Sequence, residues 1–103
     1  MSELLTSKMF AECLNTVFEL QSSSGNLPLK LIEVMDLNHS PRLEQFSLIF
    51  SGPMTPVLPQ RIHALRHEKL GELNLFLVPV GPDEQGMRYE VIFNRMRRDP
   101  AKS

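Results

Sequence analysis

A single cysteine, Cys13, stands among 103 residues, so no internal disulfide can form. No apolar run approaches the ~18 residues that a membrane-spanning helix needs, and the N-terminus lacks the charged-then-apolar pattern of a secretion signal. A cytoplasmic protein is the expectation. Positive charge is not in surplus either: the formal net charge is −1. Residues 1–94 hold seven basic against eleven acidic residues, a net of −4. Such a body lacks the basic face that duplex binding requires. No internal repeat and no low-complexity segment is found. The length fits one domain, large enough to bury roughly two-thirds of its unfolded surface.

What is present is alternation. Leu73 to Asn94 is the longest patterned stretch. Leu73, Leu75 and Leu77 fall on one face of a strand and Phe76, Val78 and Val80 on the other, so the strand is apolar on both sides. Such a strand is expected to be covered on both faces, or to be a central strand in a closed or two-layered structure, with Phe76 in the core. Gly81 to Gly86 reads as a loop. The return strand alternates cleanly: Tyr89, Val91 and Phe93 one way, Arg88, Glu90, Ile92 and Asn94 the other. Pro79 lacks an N–H and belongs at a bulge or an edge.

Upstream, Thr6 is a candidate helix cap with Leu5 packing back. Phe10, Cys13, Leu14 and Val17 follow helical spacing, predicting a short amphipathic helix from Ser7 to about Asn15. Phe18 and Leu20 then share a strand face. Residues 22–26 form a turn by composition. Leu27, Leu29 and Leu31 alternate, and Ile32 and Val34 continue on the opposite parity, which a β-bulge near Leu31 or a two-faced strand would explain. Leu43 to Ser51 is a strand with Phe46, Leu48 and Phe50 in register. Three prolines between Gly52 and Pro59 exclude helix and central strand. Gln60 to Gly71 suits helix or strand; as a strand, Ile62 and Ala64 share a face.

The motifs favour plain structural roles. His63 and His67 would share a helix face as zinc pairs do, but Ala64 stands where a metalloprotease needs its glutamate. On a strand the two are roughly 13 Å apart, too far for one ion. No metal and no cofactor are expected. Glu90 has no second carboxylate beside it and faces water. Cys13, on the apolar helix face with only Lys8 near it in the sequence, reads as a small buried hydrophobe rather than a nucleophile. Gly81 to Gly86 lacks the Lys-Ser or Lys-Thr of a phosphate loop. Nothing pairs a nucleophile with a base, so the chain is expected not to be an enzyme.

Several blocks together carry a resemblance: Phe46 to Phe50 with Gly52-Pro53, Leu58-Pro59-Gln60, His67 with Leu70-Gly71, Leu75 to Gly81, and Met87 to Asn94. From Phe10 to Asn94 the chain resembles a family of small bacterial proteins, the DUF6916 type, whose function is unassigned. That family pattern has an aromatic residue where this chain has His63, and a glycine near the position of Asn15. The resemblance tips Arg61 to Arg66 toward strand. It carries no catalytic residue over, and it implies genes that lie near those for phage-tail-collar-type fibre proteins, an association and not a mechanism.

The expected fold is mainly β: about six antiparallel strands in a meander, as a small barrel or a two-layer sandwich, with one short N-terminal helix plugging one end. Residues 1–94 form the domain, and residues 95–103 form a basic, flexible tail. The expected function is a non-catalytic interaction or assembly module with a protein partner, of fibre type or a second copy. No nucleic acid and no membrane is involved. The alternative is a small-ligand barrel, to be told apart by how the interior is filled. The candidate contact residues are Met54, Val57 and Leu58 on the proline-rich loop, with Arg95, Arg97 and Arg98 supplying charge.

Overall fold

The period-two patterns become strands, and the strands close on themselves. The computed structural model describes residues 6–23, 25–37 and 43–96. Helix α1 is Ser7–Ala11, and the strands are β1 Val17–Gln21, β2 Leu27–Asp36, β3 Leu43–Gly52, β4 Arg61–His67, β5 Gly71–Asp83 and β6 Gly86–Met96. All pairings are antiparallel, and the order β1-β2-β3-β6-β5-β4 returns to β1 as a closed barrel. Two three-stranded meanders are therefore joined edge to edge, through β3 with β6 and β1 with β4. A single meander through all six strands does not occur. β6 runs two residues past the boundary drawn at Asn94, and residues 97–103 lie outside the described residues.

Closure leaves one interior, and strand parity decides what enters it. Phe18, Leu20, Leu29, Leu31, Phe46, Leu48, Phe50, Leu65, Leu73, Leu75, Leu77, Tyr89 and Val91 are buried. Phe93 is half-buried against them. Here the expectation for Phe76 fails: it is 46% exposed. A single closed sheet has an outer face, and among the described residues no second layer covers it there. The apolar second face of β5 therefore meets solvent, with Val80 and Ile92 exposed as well.

Two irregularities seat the strands. The β2–β3 register shifts between Leu31 and Glu33, which is the bulge that the parity switch indicated. The β5–β6 register shifts between Pro79 and Gly81. Pro79 has no N–H to contribute, and Gly81 takes φ +120, which a side chain would resist. The segment read as a loop from Gly81 is thus mostly strand. Only Glu84 and Gln85 turn the hairpin, since Asp83 still pairs with Gly86. The Asp83 carboxylate accepts from the Gln85 and Gly86 N–H groups at 2.8 and 3.0 Å and from Arg88 Nε. The Gln85 bond foremost, with Arg88 beside it, holds that carboxyl below its ordinary range.

Helix α1 is shorter than its periodicity predicted. Thr6 Oγ1 accepts from Met9 N–H at 3.2 Å, as its capping role required, but regular helix stops at Ala11. Turns then carry the chain to Asn15, which adopts the left-handed φ +67, a conformation asparagine tolerates better than most residues. Asn15 N–H donates to the Leu31 carbonyl at 2.7 Å, and Leu31 N–H donates to that of Thr16 at 3.0 Å. So short a helix is not stable alone; Phe10 anchors it. Its ring lies 5.5 Å from Phe93, 6.1 Å from Phe46 and 6.3 Å from Phe18.

Phe10 and Phe76 make a contrasting pair for urea unfolding. Phe10→Ala removes a fully buried ring and should cost ~3–5 kcal/mol. In solution dilute enough to keep single copies apart, Phe76→Ala should cost less than about 1 kcal/mol, as surface changes do.

Candidate functional site: the two ends of the barrel

In a ring of six, β3 and β4 stand opposite each other. The connection between them, residues 53–60, must therefore cross one mouth of the barrel. Strand directions place it at the same end as the β5–β6 turn, and place α1 and the β4–β5 turn at the other end. The inward side chains of β4 and β6 fasten this crossing loop. Leu58 N–H donates to Tyr89 Oη at 2.8 Å. His63 Nε2–H donates to the Pro59 carbonyl at 2.8 Å. Leu58 itself is 8% exposed and belongs to the core, so it leaves the proposed contact patch. Its neighbours Met54 and Val57 stay outside, at 52% and 53% exposure. Gly86 approaches this region closely: with φ +153, its missing Cβ would collide with the Gly52 carbonyl oxygen.

The opposite end holds a polar junction that spacing in the chain did not reveal. His67, buried, lies tilted against Phe18 with ring centroids 4.3 Å apart. Its Nδ1 accepts the Lys69 N–H at 3.0 Å and the Leu70 N–H at 3.4 Å. The ring proton is therefore on Nε2, which donates to Thr16 Oγ1 at 2.8 Å. Thr16 in turn donates to the Cys13 carbonyl. Cys13 Sγ lies 4.0 Å from His67 Nδ1. This chain of contacts ties the turn after α1 to the β4–β5 turn.

The cysteine does have a histidine neighbour, then, contrary to the reading from its sequence surroundings. The chemistry still favours a structural role. Burial pushes the Cys13 thiol up, opposed by Lys69, and burial pushes His67 down. Both shifts favour neutral thiol and neutral imidazole, the reverse of the thiolate–imidazolium pair that an activated cysteine requires. An open depression of about 290 Å³ adjoins the junction, lined by Glu12, Cys13, Thr16, Val17, His67, Glu68 and Lys69. No buried side-chain nitrogen or oxygen among the described residues lacks a partner, so no unpaired buried polar atom adjoins it.

His63 and His67 both point inward, but they serve opposite ends of β4. Among the described residues no cluster of three or more His, Cys, Asp or Glu is placed to hold a metal. No helix among them is long and apolar enough to cross a membrane. Glu90 is half-buried on the outer wall, paired in register with Ile49 and Val78. The backbone of Arg95 pairs in register with that of Glu44, at the end of the barrel far from the proline-rich loop. Arg97 and Arg98 lie outside the described residues. One signal for the inward histidines was available: His63 and His67 share strand parity with Leu65.

Titration of His67 should be visible in stability. Its folded pKa lies below the ordinary 6.5, so the unfolded chain binds the extra proton first. Stability should fall as pH drops below about 6.5 and level off once the folded state also protonates. In urea titrations across this range, His67→Gln should be less stable at neutral pH and lose that part of the pH slope.

A family model described as a domain of unknown function (DUF6916) matches residues 5–93. No curated protein and no solved structure matches the chain.

Proposed function

The chain belongs to the DUF6916 family, and we propose that it acts as a non-catalytic interaction or assembly module. The observation that carries this reading is the exposure of Met54 and Val57 on a loop fastened to the barrel by Leu58 and Pro59. Apolar side chains on restrained backbone lose little freedom on docking, which favours binding. The partner is a protein; an accessory or assembly role beside phage-tail-collar-type fibre proteins fits the resemblance noted above. The apolar side chains gathered in the interior support this reading over a small-ligand barrel. Phe18 meets Phe50 edge-on at 5.2 Å, and Leu20, Leu29, Leu31, Leu48 and Leu65 are buried among them. The neutral Cys13–His67 pair supports a non-catalytic role.

Met54→Ser with Val57→Ser tests the loop. Both side chains are exposed, so the melting temperature should stay within a few degrees of wild type. Capture by a tagged copy from its own host, quantified by mass spectrometry, should lose the specific partner. Unchanged capture by a folded variant refutes the loop patch. Leu58→Ser is the contrasting change: it should destabilise the fold itself, because Leu58 is core.

A further inference from the structure

The outward positions of a water-facing antiparallel wall are ordinarily polar. One stretch of this barrel departs from that. Ile62 on β4 and Phe76 on β5 are direct cross-strand partners and are 65% and 46% exposed. Val78, half-buried, is the next outward residue of β5 and pairs with Glu90. Ile92, 53% exposed, is the next outward residue of β6 after Glu90. Val80, 50% exposed, rides on the bulge. The row runs across three strands where β5 passes from pairing with β4 to pairing with β6.

We propose that this wall is the contact face between two copies of the chain. Charge selects that occupant. Around the row stand Arg66 and Arg88 together with Glu19, Glu72 and Glu90. Arg66 and Glu72 already form an exposed ion pair at 2.7 Å. A partner of one sign would set two or three of these five residues against like charge. A copy related by a two-fold axis presents both signs, so positive meets negative across an isologous interface. The size also fits. Half-exposed side chains of this kind leave on the order of 100 Å² open each, so Ile62, Phe76, Val80 and Ile92 offer about 400 Å². That is roughly half of the ~800 Å² per partner in a standard interface, with the mixed-charge rim around it to contribute the remainder. This face is separate from the proline-rich loop and is tested without any partner protein.

Sedimentation equilibrium of the purified full chain, over a wide concentration series, reads the result. Wild type should approach twice the chain mass of 11.8 kDa. Phe76→Ser with Ile92→Thr should weaken self-association more than about 100-fold, as paired truncations at the centre of an interface do, while circular dichroism stays that of the folded barrel. A wild type that remains at chain mass throughout overturns the proposal. So does a folded double variant that dimerises as tightly as wild type. Should the double variant fail to fold, Phe76→p-benzoylphenylalanine keeps a large aromatic at the position. On irradiation it should cross-link to β4, β5 or β6 of a second copy. Cross-links mapped elsewhere, or none, overturn the proposal equally. Loss of the dimer in the Met54 and Val57 double variant, with the Phe76 and Ile92 variant still dimeric, would move the contact to the loop.

Discussion

A ring of six strands has one inside, and every inward side chain must find its neighbours there. That constraint orders the rest of the molecule. It makes strand parity decisive, since a residue one step out of register moves to the opposite face. It explains why β5 buries Leu73, Leu75 and Leu77 and turns Phe76 and Val80 outward, although both rows are apolar from Leu75 onward. It also dictates the crossing loop. Because β3 and β4 stand opposite each other in the ring, the connection between them passes over the mouth and becomes its cover.

The two ends of the barrel are sealed by the same device. A side chain from the inner row of a strand reaches out to backbone that would otherwise be unanchored. Tyr89 and His63 hold the proline-rich loop at one end. At the other, His67 joins the β4–β5 turn to Thr16 and, through it, to the turn after α1. Buried polar groups are tolerated only when paired, and these histidines meet that condition. The interior around them is lined with buried apolar side chains. On the outside stand an apolar loop tip on fastened backbone and a wall that is apolar where water would favour polar residues.

The strands, the bulges at Leu31 and Pro79, the cap at Thr6 and the inward phenylalanines were legible in the chain. Each follows from alternation, a missing N–H or a side-chain oxygen close in sequence. The helix came out short because its periodicity continued into turns, where Cys13 is still buried without helical geometry. The contact residues separated for a similar reason. Met54 and Val57 face out and Leu58 faces in, and nothing in a proline-rich segment carries a period that would distinguish them. The Cys13–Thr16–His67 junction joins residues more than fifty positions apart, a distance that no local pattern spans.

Local chemistry by itself determined that this chain forms antiparallel strands with one short capped helix, and which residues share a strand face. Both depend on bonds and sterics within a few residues. Only the tertiary structure decided which of two apolar faces becomes the inside, that the six strands close into a barrel rather than stack as a sandwich, and which end each histidine serves. Those outcomes depend on the pairing of β3 with β6 and of β1 with β4. Long-range pairing is a property of the whole ring, and no single strand encodes it.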